Sequence, residues 1–138
     1  MQKNKPPYIV IDDDVLNNMI CKITLEMALG AVQVETFSNA EIALEFIRTN
    51  YEDATDDGVT LILLDINMPI MSGWEFLDSF DDFDDTIKKQ FRIYLLSSSV
   101  DDRDKEKARQ NKNVIDYLSK PLSKEMVKRI DIPVNRPG

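Results

Sequence analysis

Polar side chains capable of joint chemistry stand at the ends of four apolar runs: Asp12 and Asp13 close YIVIDD, Asp65 closes LILLD, Ser97 closes IYLLS, and Lys120 follows DYLS. Parallel strands deliver their C-terminal ends to one edge, and open α/β sheets carry their ligand and reaction sites there. Folded that way, residues about a hundred positions apart in sequence form one polar pocket of three carboxylates, a hydroxyl and an ammonium. Carboxylates so crowded repel one another, and their pKa values rise unless a cation joins them. A hard divalent cation with oxygen ligands relieves that repulsion. Mg2+ suits the set, because it keeps several waters and takes one or two carboxylates together with phosphate oxygens. Read in isolation, the acidic run at residues 12–14 is only a helix N-terminus favoured by the dipole, and Asp14 is assigned to that role alone.

The elements that must position these groups are legible as strand and helix in alternation. Tyr8–Ile11 is a short continuous apolar run, the pattern of a strand buried on both faces. Leu16, Met19, Ile20, Ile23 and Met27 recur at helical spacing over Val15–Leu29, and Gly30 is the expected stop. A second strand is read over 32–37, and Ser38 with Glu41 fits a capping box that opens a helix through Phe46 and Ile47. A polar loop over 51–58 leads to a third strand at Thr60–Leu64. Met68-Pro69 and Ser72-Gly73 punctuate the loop before a helix at 74–80, and 81–85 reads as an acidic turn. A fourth strand at 92–96, a charged helix at 101–111, a fifth strand at 114–118 and a last helix at 124–130, ended by Pro133, complete the pattern. The alternation implies a parallel sheet with right-handed crossovers and helices on both faces.

Bulk properties narrow the function. At 138 residues, 43% hydrophobic and 30% charged, the chain reads as one soluble globular domain. A net charge of −8 argues against non-specific nucleic-acid binding and against an anionic membrane surface. No apolar run approaches the length of a membrane span, and the N-terminal residues lack the apolar centre of a signal peptide. The single cysteine, Cys21, has no intramolecular partner and reads as core packing, and the absence of histidine excludes a Cys/His zinc set. Together these features point to the cytoplasm.

The acid pair Asp12-Asp13, the segment LLDINMPIMSG around Asp65, Ser97, the aromatic Tyr117 and Lys120-Pro121 occur in order, each at the appropriate strand end. In this the chain resembles the receiver domain of two-component response regulators, over roughly residues 7–130, with 131–138 as a short tail. The resemblance implies a flavodoxin-like, doubly wound five-stranded sheet in the order 2-1-3-4-5. It implies Asp65 as the acceptor of a phosphoryl group, and Asp13, Asp65 and the backbone carbonyl of Asn67 as Mg2+ ligands, with Asp12 helping directly or through water. Lys120 and Ser97 would contact the phosphoryl oxygens. Ser97 and Tyr117 would form the switch that alters the face of the charged helix and the fifth strand. Asn67 and Ser99 would tune the phosphate lifetime, and Lys120-Pro121 would make a sharp turn, often a cis bond in the family. The implied partners are a sensor histidine kinase or histidine-phosphotransfer protein and a downstream protein, for a monomer that is not itself a general enzyme. No effector segment follows in the sequence, and the last helix is shorter than the family's usual one, so a stand-alone receiver is expected.

Other readings stay open at this level. Asp12-x-Asp14 after a strand also fits a haloacid-dehalogenase-like phosphatase with Asp12 as nucleophile, although that leaves Asp65 and its loop without a role. A receiver serving only as an interaction module needs no phosphorylation, yet the full set of pocket residues argues against it. A flavin-binding flavodoxin would need a phosphate loop after Ile11, where three acids stand instead.

Overall fold

The computed structural model describes residues 4–53 and 58–131. Its strands are β1 (Tyr8–Ile11), β2 (Val34–Phe37), β3 (Thr60–Leu64), β4 (Phe91–Ser97) and β5 (Val114–Ser119). All pair in parallel, in the order β2-β1-β3-β4-β5. The burial of each strand follows its place. β1 and β3 are buried along their whole length and β4 nearly so, as strands covered on both faces must be, whereas edge strands β2 and β5 are only partly covered.

The helices are α1 (Val15–Leu29), α2 (Ala40–Asn50), α3 (Gly73–Asp81), α4 (Asp85–Lys88), α5 (Asp102–Gln110) and α6 (Lys124–Ile130). Alternate strand residues separate two cores. Tyr8, Val10, Leu63, Tyr94 and Leu96 pack with Cys21 and Leu25 of α1 and Val127 and Ile130 of α6. Ile9, Ile11, Ile62, Leu64 and Leu95 pack with Ala43 and Ile47 of α2, Phe76 and Phe80 of α3 and Ala108 of α5. Among the described residues no helix is long and apolar enough to cross a membrane.

Several local expectations change. The N-cap of α2 is Asn39, not Ser38: its side chain accepts from the N–H groups of Glu41 and Ile42, so no capping box forms there. The capping box lies instead at Ser72 and Glu75, opening α3. The acidic turn holds an additional short helix, α4. The apolar stripe of α1 faces solvent, and the helix buries the opposite face, with Asn17, Asn18, Cys21 and Leu25. Cys21 is core, as expected. Gly30 ends α1 at φ +84°, a left-handed conformation that glycine adopts without penalty. Pro133 and the tail at 132–138 lie outside the described residues.

Candidate phosphoacceptor site

The register sets the pocket. Ile11 stands opposite Phe37 and Leu64, Leu64 opposite Leu95, and Ser97 opposite Ser119, so Asp12, Asp65, Ser97 and Lys120 reach one edge. From β1 the chain turns to β2 on one side, while β3 lies on the other. The residues after β1 and β3 therefore flank the crevice at the topological switch point.

Each loop is tied down by its backbone. The Asp12 N–H donates to Phe37 O at 3.0 Å, and that of Asp65 donates to Ile11 O at 2.9 Å. The side-chain amide of Asn18 donates to Asp12 O at 2.8 Å and Phe37 O at 3.3 Å. After Asp65 the chain folds back closely, and the Gly73 N–H donates to Ile66 O at 2.8 Å. A Cβ on Gly73 would stand 2.4 Å from Asp65 O and 2.9 Å from Ile66 Cα, so only glycine fits there. Ile70, in the same loop, holds φ +69°, an unusual conformation for a β-branched residue. The Lys120–Pro121 bond is cis, and the Lys120 N–H donates to Ser97 O at 3.0 Å.

Asp12 is buried and its carboxylate is heavily engaged. One oxygen accepts from the Asp14 N–H at 2.9 Å. The other accepts from Asn17 Nδ2 at 2.7 Å and Lys120 Nζ at 2.7 Å. Lys120 lies 3.5 Å from Asp65 Oδ1, so in this state it sits nearer Asp12 than the expected acceptor. Burial works against the Lys120 ammonium, but the hydrogen bond to Asp12 and the charges of Asp12 and Asp65 outweigh it and hold its pKa above the usual lysine value. Asp65 behaves in the opposite way. Burial first, then the Asp12 charge, push its pKa up to about 6, and Lys120 offsets only part of this.

Oxygens of Asp12, Asp13 and Asp65 lie within 4.8 Å of one another. Opposite ligands of an octahedral Mg2+ stand about 4.2 Å apart, so the cluster is the right size for the ion. Burial first and the Asp12 charge second raise the Asp65 pKa, and a divalent ion would offset both by favouring the charged carboxylate. Exposed Asp13 and the less engaged Asp65 are the freer donors. Asn67 is exposed in the loop immediately after Asp65.

Ser97 is buried at the end of β4, and its hydroxyl oxygen accepts from the Ser99 N–H at 3.1 Å. The Ser99 carbonyl accepts from the Tyr117 hydroxyl at 2.9 Å, and Tyr117 is half-buried against the core. A short chain of contacts thus joins Ser97 to the aromatic on β5. The Ser99 hydroxyl donates to Asp104 at 2.7 Å and accepts from the Asp101 N–H at 3.2 Å, which commits it to the start of α5. Asp14 caps α1 through the N–H groups of Leu16 and Asn17, the helix-end role expected of it. Asp12, the nucleophile of the phosphatase reading, is held by three donors, and Asp14, the second acid of that reading, caps α1.

Sequence reasoning missed Asn17 and Asn18, which hold the carboxylate and the backbone of Asp12. Their signal was two amides on the helix face opposite the apolar stripe. It became readable only once that face was seen to be buried.

The fold and this pocket define a class, and the comparisons identify it. The model of the response regulator receiver domain matches residues 8–131. The chain belongs to that family of two-component signalling domains. The transcriptional regulatory protein PrrA of Mycobacterium tuberculosis is 30% identical over 136 residues, which cover 96% of this chain and 52% of that protein. The chain thus spans about half the length of this curated relative. A two-component response regulator from Cytophaga hutchinsonii superposes with a TM-score of 0.80 at 29% identity, covering 90% of this chain and 92% of that one. A response regulator receiver protein from Dyadobacter fermentans gives 0.77 at 30%, covering 88% and 94%. The chemotaxis protein CheY4 of Vibrio cholerae, at 0.69 and 22% over 92% and 96% of the chains, shares the fold.

Proposed function

We propose that the chain accepts a phosphoryl group on Asp65 from a histidine kinase or histidine-phosphotransfer protein in a Mg2+-dependent reaction, and switches or relays a signal. The observation that carries this reading is Asp65 itself: a buried carboxylate with a raised pKa, 3.5 Å from an ammonium and beside two further acids. A carboxylate oxygen of Asp65 attacks phosphorus, the nitrogen–phosphorus bond of the donor phosphohistidine breaks, and the imidazole departs with the bonding electrons. Asp13, Asp65 and the Asn67 carbonyl, with Asp12 directly or through water, would hold a divalent ion, which would supply charge neutralisation and alignment of the transferred group.

Lys120 shifts from Asp12 towards the new phosphoryl oxygens. Ser97 turns its hydroxyl from the Ser99 N–H to another of them. That movement disturbs Ser99, to which Tyr117 is bonded, and so reaches β5 and α5. The receiver unit is taken as residues 7–130, followed by the tail at 131–138. The reading carries with it a cytoplasmic location, since kinases that charge their histidines draw on ATP there.

The test is incubation with Mg2+ and acetyl phosphate followed by intact mass. One added phosphoryl group is expected, lost in Asp65→Asn and on chelation. Steady phosphate release from unrelated monoesters, abolished by Asp12→Asn and not by Asp65→Asn, would overturn the reading in favour of a hydrolase.

A further inference from the structure

The sheet has a second charged end. At the edge opposite Asp65, α4, the start of β4 and the turn before β5 surround an open hollow of about 440 Å3. Lys88, Lys89, Arg92 and Lys112 line it, and among the described residues Asp85 is the one acid that does. Phe91 and Ile115 give it an apolar wall. In a chain of net charge −8, four cations and one carboxylate around one concavity run against the bulk composition. Phe91 and Ser97 are the two ends of β4, about 20 Å apart at 3.3 Å per residue, so the hollow is separate from the acid pocket.

Two of the cations are already paired. Lys88 Nζ lies 3.2 Å from Asp81 and 3.7 Å from Asp85, and Lys112 Nζ lies 3.5 Å from Asp81. Asp81, which also accepts from Asn113 at 3.1 Å, thus gathers both lysines at the rim. The other two are not paired. Lys89 and Arg92 have no carboxylate partner among the described residues, and Arg92 Nε is buried without a hydrogen-bond partner. Arg92 stands at the sheet edge, bordering this hollow and a smaller one beside Tyr8. A buried donor left without a partner costs free energy that the oxygens of an anion would offset.

The surrounding charge sets the shape of the ligand. Asp82, Asp84 and Asp85 are exposed in the run that leads to the hollow. An extended polyanion, a nucleic acid or an acidic peptide, would meet them on leaving the site and be repelled. A compact anion would not. A cavity of this size suits a small molecule, and ammonium groups beside a guanidinium fork suit phosphate oxygens. We propose that this hollow binds a compact phosphorylated small molecule of about the size of a nucleoside diphosphate. Its phosphates lie among Lys88, Lys89, Arg92 and Lys112, and its ring or chain lies against Phe91 and Ile115. The site does not depend on the phosphoacceptor chemistry of Asp65.

The test titrates the full chain with ADP, pyrophosphate and inorganic phosphate in chelator, so that no metal bridges phosphate to the acid pocket. Calorimetry and amide shifts follow the binding. One-to-one binding of ADP is expected, with shifts centred on residues 88–93 and 112–115. It is tighter than that of pyrophosphate or phosphate, and it weakens with salt. Lys89→Glu combined with Lys112→Glu, both on exposed side chains, weakens ADP about tenfold or more, the worth of a charge-assisted hydrogen bond. Arg92→Gln does the same, with a melting curve to report the fold. Asp85→Asn, which removes the acid from the rim, tightens binding, and Asp65→Asn leaves it unchanged. No saturable binding of ADP, shifts centred on Asp12, Asp13 and Asp65, or undiminished affinity in the lysine variant would overturn the proposal. Pyrophosphate binding as tightly as ADP would remove the apolar wall from it. An aspartate-rich peptide binding more tightly than ADP would overturn it in favour of a protein partner.

Discussion

At the residue scale the pocket is governed by an imbalance of charge. Burial, and then the Asp12 charge, push the Asp65 carboxyl from the ordinary aspartate value of 3.8 up to about 6. A carboxyl group with a raised pKa takes up a proton on folding. The stability it contributes is whole below about pH 4 and is lost as pH rises through about 6. The loss reaches at most about 3 kcal/mol, at about 1.4 kcal/mol per pKa unit. Metal-free wild type should therefore melt at progressively lower temperature between pH 4 and pH 7, relative to Asp65→Asn. Parallel melting curves for the two proteins across that range, recorded with chelator, would count against the raised pKa. Ser97 gives a second prediction at this scale. Ser97→Ala should still take a phosphoryl group, because the nucleophile and acids are intact, but the link to Ser99 and Tyr117 is cut. With beryllofluoride and Mg2+ standing in for the aspartyl phosphate, wild-type amide shifts should move through residues 100–117 while those of Ser97→Ala stay. Equal movement in both would remove Ser97 from the switch.

At the element scale, the turn between β3 and α3 is the least forgiving part. Gly73 lies against the backbone of Asp65 and Ile66, and neither can retreat without moving the acceptor. Gly73→Ala should destabilise the fold by about 1–3 kcal/mol, the usual cost of overpacking, and should slow labelling of Asp65 by acetyl phosphate. Denaturant melts and labelling rates matching wild type would refute this. α5 is held far more lightly. Ala108 is its buried residue, and Lys107 lies 4.6 Å from the centre of the Trp74 ring on α3. Few buried apolar contacts mark an element that moves at small cost. That suits the helix directly after Ser97.

At the scale of the whole molecule, a net charge of −8 and a cluster of three acids set stability against metal. An ion that binds only the folded state stabilises it by about 2.7 kcal/mol at a hundredfold excess over its dissociation constant. Asp13→Asn removes one charge of the cluster and one proposed ligand. Its metal-free melting temperature should rise and its response to Mg2+ should weaken, both readable by calorimetry. A fall in the metal-free melting temperature would contradict the repulsion argument.

The sequence by itself determined the five strands, the α/β alternation and the residues at the strand ends, because buried strands need unbroken apolar runs and such runs are visible without partners. It also carried the acid pair, Asp65, Ser97, Tyr117 and Lys120 in order, which is why the family was legible. Local boundaries were weaker. Ser38 and Asn39 are both good caps, and only backbone geometry chose Asn39. The tertiary structure alone decided what each helix face meets. Helical spacing marks an apolar stripe but does not say whether sheet or solvent lies opposite. On α1 the sheet took the face with Asn17, Asn18, Cys21 and Leu25, since Asp12 offered the amides partners there, and the apolar ridge was left outside. Tertiary structure likewise decided that Lys120 sits nearer Asp12 than Asp65, because ion pairing between residues 108 positions apart depends on the register of strands that no local pattern encodes.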